Sequence, residues 1–185
     1  MRFYLLSKNK NLGVIMQNYK YTIPLLKGLK STFEITDENE TSKATIQRFY
    51  PSVLNVITEV FLTGWEVNIK VLQNYNEYLI KENFHWVKNE WTIFENGSKT
   101  GLLRDIKKFE LGNTKEITYK NKKFYYFDRP LDTQTLVQDE IKREVAIIDY
   151  KLFDLSRKKQ LVQYSDELPT GLLVGIDYLA SLKKK

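Results

Sequence analysis

The segment Thr170–Lys185, TGLLVGIDYLASLKKK, sets the tightest limit on how this chain can fold. Leu172, Leu173, Val174, Ile176, Leu179, Ala180 and Leu182 put apolar groups on nearly every side of a helix. A surface helix keeps one apolar stripe, so a helix apolar all round must be enclosed. Crossing a ~30 Å hydrocarbon core takes about 20 residues, whereas a dozen helical residues span roughly 20 Å. The expected surround is therefore protein. Gly171, Gly175 and Ala180 are low points where that surround can come close, and a glycine inside a helix costs about 1 kcal/mol relative to alanine. A near approach by backbone or an aromatic ring is the expected reason for Gly175.

Most of the chain before this helix reads as short strands. Trp65–Val71 alternates apolar and polar residues at period two, the pattern of a sheet with one wet face. Weaker alternation puts Phe33 and Ile35 inward in 32–36, and Ile117 and Tyr119 inward in 116–120. Residues 123–127 and 145–153 are apolar or aromatic on both parities, as for strands covered on both faces. Asn96-Gly97 between 91–95 and 98–103 predicts a hairpin with a type I′ turn. Further hairpins are expected at Asn121-Lys122 and at Ser156–Lys159. Two stretches stay ambiguous: 53–63 fits a helix or a strand, and 133–143 fits one amphipathic turn or two. No linker or internal repeat interrupts the chain. A mainly β fold follows, with one closed antiparallel barrel domain over 1–185 and a central helix at 170–182.

Charge is placed unevenly. The chain has 29 basic and 23 acidic residues. Arg2, Lys8, Lys10, Lys20, Lys27 and Lys30 fall within residues 1–33, which hold no Asp or Glu. The whole excess of +6 thus sits in the first fifth of the chain. Such asymmetry suits an anionic partner, although scattered lysines also solvate surfaces. The absence of cysteine excludes disulfides and thiolate chemistry. It fits a reducing cytoplasm, and a cytoplasmic monomer, in solution or peripheral to a membrane, is the expectation.

The helix sequence Leu172-Leu173-Val174-Gly175-Ile176-Asp177, preceded by the hairpin 146–164, resembles the tubby C-terminal-like superfamily, which includes LURP-one-related and phospholipid-scramblase-like proteins. The resemblance implies a twelve-stranded barrel threaded by the C-terminal helix. No phosphoinositide-pocket motif is recognisable, so the resemblance carries over no binding residue.

Asp177 stands between Ile176 and Leu179 on the enclosed helix. A buried carboxylate must be paired, hydrogen-bonded or protonated. It is read as structural together with Gly171 and Gly175, bridging to a barrel Arg or Lys or to backbone N–H groups; a ligand or proton site inside the barrel is the alternative. His85 is the lone histidine and makes no ordinary zinc site, and no metal or cofactor is expected. Asp128 and Asp132 flank Arg129-Pro130 and read as turn solvation rather than an acid–base pair. No nucleophile elbow or phosphate loop occurs, which disfavours an enzyme.

The hairpin tips Lys120/Lys122/Lys123 and Arg157/Lys158/Lys159 form the candidate anion-binding surface. An ammonium group near an anionic bilayer is worth ~1 kcal/mol. The terminal Lys183, Lys184 and Lys185 are sufficiently explained by the negative end of the helix. The expected function is non-enzymatic binding of an anionic phospholipid headgroup or other phosphate-bearing partner. A protein-interaction barrel is the alternative. Nucleic acid ranks third and would need Tyr119, Tyr125 and Tyr126 to form a stacking face beside the lysines.

Overall fold

The computed structural model describes residues 16–24, 31–50, 67–83, 89–106, 113–128, 133–150 and 156–183. Twelve strands run in chain order: β1 (Gln17–Thr22), β2 (Thr32–Asp37), β3 (Ser42–Phe49), β4 (Asn68–Gln73), β5 (Asn76–Asn83), β6 (Glu90–Glu95), β7 (Ser98–Ile106), β8 (Asn113–Tyr119), β9 (Lys122–Asp128), β10 (Gln134–Asp139), β11 (Glu144–Tyr150) and β12 (Lys158–Gln163). Each pairs antiparallel with its neighbours in sequence, and β1 pairs with β12 to close the barrel. Closure removes the exposed edges that would otherwise template aggregation.

The helix α1 (Thr170–Lys183) fills the barrel. Every residue from Thr170 to Ala180 is buried, as is Leu182. Inward side chains of the strands, among them Ile35, Ile46, Ile69, Val71, Ile80, Trp91, Ile93, Leu103, Ile117 and Phe124, form the rest of the core. The first N–H groups of a helix lack intrahelical partners. Here the Gly171 N–H donates to Gln73 Oε1 at 2.8 Å, and Thr170 Oγ1 donates to Gln163 Oε1 at 2.7 Å. At the other terminus Lys183 Nζ reaches Glu82 Oε1 at 2.7 Å. Gln73 and Gln163 end their strands, whereas Glu82 stands one residue from the far end of β5. The helix therefore runs the length of the barrel.

Gly171 and Gly175 face β4 and straddle Val71. A Cβ on Gly171 would lie 2.6 Å from Val71 Cγ1, and one on Gly175 would lie 2.9 Å from Val71 Cγ2. The close neighbour at Gly175 is thus an aliphatic side chain, not the backbone or ring that the sequence suggested. Gly101 on β7 is tighter still, since a Cβ there would sit 2.2 Å from the Thr118 carbonyl oxygen.

The hairpins at the end where α1 begins are short. Asn96 and Gly97 both have positive φ, as a type I′ turn requires. The β8–β9 turn is centred on Lys120 and Asn121, both at positive φ, so Lys122 already belongs to β9. The β2–β3 and β10–β11 turns are built alike. In one, Asp37 Oδ1 accepts the N–H groups of Asn39 and Thr41; in the other, Asp139 Oδ1 accepts those of Ile141 and Arg143. The fourth residue of each, Glu40 and Lys142, has positive φ.

Several readings change. Residues 134–139 form β10 rather than amphipathic turns. The described part of 123–127 buries one face only, because Tyr125 and Phe127 point outward and are half-buried; in 145–150 Ile147 is likewise half-buried, but Val145 and Ala146, of opposite parity, are both buried. Phe127, Leu136, Ile147 and Val162 face one another across β9 to β12 as an apolar row on the outer wall. Asn68 is buried despite its polar parity, and its Oδ1 accepts the Glu82 N–H at 2.8 Å. The stretch 53–63 lies outside the described residues, as do Trp65 and residues 151–155.

Candidate anion-binding groove

The two lysine-rich segments lie at opposite ends of the barrel. Lys120, Lys122 and Lys123 belong to the β8–β9 hairpin, at the end where α1 begins. Each stands beside a carboxylate: Lys120 Nζ is 2.8 Å from Glu95, Lys122 Nζ 3.1 Å from Glu167, and Lys123 Nζ 4.0 Å from Glu140. Exposed pairs of this kind add little stability, about 0–1 kcal/mol, yet they offset the local positive potential. A groove of about 360 Å³ at this end is lined, among the described residues, by Asp37 and Glu38 beside a single cation, Lys43. Its sign does not suit an anion.

Arg157, Lys158 and Lys159 stand at the opposite end, where β12 starts. Arg157 donates from its guanidinium to the Pro24 carbonyl oxygen at 3.4 Å. Lys158 is exposed and points outward, whereas Lys159 points into the barrel with 14% of its side chain exposed. Lys159 Nζ lies 2.7 Å from Oδ2 and 2.9 Å from Oδ1 of Asp177. The Tyr21 hydroxyl donates to Oδ2 and the Tyr126 hydroxyl to Oδ1, each at 2.9 Å. Four hydrogen bonds from three donor groups thus saturate the carboxylate. Burial, reinforced by the Asp177 charge, pushes both phenols well above their ordinary pKa. They remain neutral donors over the ordinary pH range.

Two members of this cluster, Tyr21 and Lys159, also line a groove. β1 pairs with β12 along its full length, Gln17 through Thr22, but with β2 only at Tyr19, Lys20 and Tyr21. Beyond Tyr21 the β1–β2 ladder stops, and a groove of about 400 Å³ opens there. Among the described residues Lys20, Lys158 and Lys159 supply its cations, Thr22, Thr36 and Gln160 its neutral polar groups, Tyr21 and Phe33 its aromatic surface, and Glu34 a carboxylate. The alternation of Lys20 and Thr22 with Tyr21 turns the first two outward and the third in. Tyr21 stands directly across from Lys159 in the ladder. Lys159 has a third ammonium hydrogen beyond the two directed at Asp177, and it can be offered to an occupant.

The chain matches the family model described as the Tubby C-terminal like domain over residues 19–184. It belongs to that family. No curated protein and no solved structure matches the chain. The closed barrel around a C-terminal helix is the architecture that the resemblance implied. Among the described residues no group of His, Asp or Glu is placed to hold a metal ion, and no helix is long and apolar enough to cross a membrane.

The remaining sequence candidates separate. Asp128 is not in a loop but ends β9, buried, with the Tyr150 hydroxyl 3.4 Å from Oδ1. Asp132, His85, Lys184 and Lys185 lie outside the described residues. Tyr119 and Tyr126 are buried inside the barrel and Tyr125 points out, so the three share no stacking face. Sequence reading missed Tyr21, Thr22 and the groove itself, and it noted Lys20 only as part of the basic N-terminal fifth.

Proposed function

We propose that this tubby-like barrel is a non-enzymatic binder of anionic lipid headgroups, with the β12–β1–β2 groove as the binding site. The observation that carries the reading is the convergence of Lys20, Lys158 and Lys159 on a groove that also holds hydroxyls and aromatic surface. Its volume falls in the ~300–1,000 Å³ range of small-ligand sites, which favour the mouths of barrels. Family membership supports a lipid-binding or related barrel role in general terms. The sequence-derived site is narrowed accordingly: Lys158 and Lys159 stay, while Lys120, Lys122 and Lys123 stand beside acids at the far end.

Co-sedimentation with neutral and anionic vesicles at low and physiological salt tests this. Retention on anionic vesicles alone, weakening as salt rises, is the expected result. Equal retention on neutral vesicles, or none on either, contradicts it. The outer row Phe127, Leu136, Ile147 and Val162 favours the second reading, a protein-interaction barrel. Under the lipid reading, Leu136→Glu leaves vesicle retention unchanged.

A further inference from the structure

We infer that the groove selects a singly charged phosphodiester headgroup of a membrane glycerophospholipid over a multiply phosphorylated one. The inference rests on the lipid-binding reading above and follows from the charges at the site. Asp177 neutralises Lys159 through contacts of 2.7 and 2.9 Å. Glu34 lies in the groove lining and offsets one of the two outward lysines, Lys20 and Lys158. Among the described lining residues one positive charge remains. Arg157, the next cation along the chain, is directed to the Pro24 carbonyl oxygen.

A phosphodiester carries a single negative charge and matches that remainder. Each further phosphate brings negative charge beside Glu34 with no additional lysine among the described lining residues to meet it, and like-charge placement is one way sites reject a competitor. The rest of the lining fits the same ligand. Thr22 and Gln160 can donate to phosphodiester and glycerol oxygens, whereas the Thr36 hydroxyl donates to the Lys20 carbonyl oxygen at 3.4 Å, and Phe33 and Tyr21 give the first carbons of an acyl glycerol an apolar surface. A free phosphate ester has no use for that surface, so the source is the membrane lipid.

The full chain is compared on phosphatidylcholine vesicles containing phosphatidylglycerol and on vesicles brought to the same surface charge with a bis-phosphorylated inositol lipid. Tighter retention on phosphatidylglycerol is expected. Glu34→Gln should improve retention on the inositol lipid by about fivefold, the equivalent of ~1 kcal/mol per charge, and narrow the preference. Tighter binding to the inositol lipid at matched charge, lost in Lys158→Glu, overturns the selectivity but leaves the groove as the lipid site. Failure of Lys158→Glu to weaken either, or absence of retention on both, overturns the groove reading as well. Full displacement by an equimolar amount of the deacylated, water-soluble headgroup overturns the lipid source.

Discussion

Lys159 on β12 and Asp177 on α1 meet inside the barrel, the Lys159 ammonium lying 2.7 Å from one carboxylate oxygen and 2.9 Å from the other. The pair ties the central helix to the wall at the point where Tyr21 and Tyr126 also donate to Asp177. It makes the groove lining and the core one unit, so substitutions there report on both.

Asp177→Ala strips the acceptor from a nearly buried ammonium and two buried hydroxyls. Removing one partner of a buried pair costs about 3–5 kcal/mol, whereas replacing both with apolar residues of similar volume is often neutral. Urea denaturation should therefore show Asp177→Ala strongly destabilised and Lys159→Met/Asp177→Leu substantially recovered. An unchanged melting temperature in Asp177→Ala contradicts the structural role.

Alanine at either helix glycine gains about 1 kcal/mol of helix propensity but overpacks the core, which typically costs about 1–3 kcal/mol. At Gly171 the new Cβ would crowd Gln73 Oε1 at 2.9 Å as well as Val71. Gly171→Ala should consequently lose more stability than Gly175→Ala. Val71→Ala opens the shared space, so Gly175→Ala/Val71→Ala should be more stable than the sum of the single changes predicts. Strict additivity would show that Val71 is not the obstacle.

Removing the chain from Thr170 onward takes away six buried Leu, Ile and Val side chains, worth roughly 9–18 kcal/mol as an upper bound. That is comparable to the ~5–15 kcal/mol net stability of a whole domain. Expression of residues 1–169 should yield no cooperatively folded protein by circular dichroism. A well-folded truncate contradicts the central-helix account.

Alkaline stability follows from Tyr21 and Tyr126. Burial and the neighbouring Asp177 raise both phenols well above their ordinary value. Unfolded tyrosine ionises near pH 10, so above about that pH the unfolded chain binds fewer protons than the native one and stability falls. Below that pH these two groups contribute a constant amount. Chemical denaturation between pH 8 and 12 should show the decline, and Tyr21→Phe/Tyr126→Phe should reduce its slope. An equal slope in the double variant contradicts the assignment.

The helix was legible because its apolar pattern has no solvent-facing solution, and the Asn96-Gly97 turn because few dipeptides accept two positive φ values. The twin turns at Asp37 and Asp139 were not, because an aspartate that folds a loop onto itself looks like any other surface acid until its backbone partners are placed. The two lysine clusters looked alike for a related reason: period-two alternation sends Lys158 outward and Lys159 inward, but only the start of β12 decides which. The groove was hidden altogether. Tyr21 meets Lys159 across the closing pair of the barrel, and one sequence alone does not supply that register.

Charge reversal at the two ends of the barrel separates binding in the groove from attraction by net charge alone. Lys20→Glu/Lys158→Glu and Lys122→Glu/Lys123→Glu change net charge equally, and all four lysines lie outside the core, so both variants should fold. On anionic vesicles at physiological salt the first should lose nearly all retention, while the second stays close to the unaltered protein. Equal loss in both would mean that net charge, not the groove, drives binding, and loss only in the second would place the lipid site at the other end.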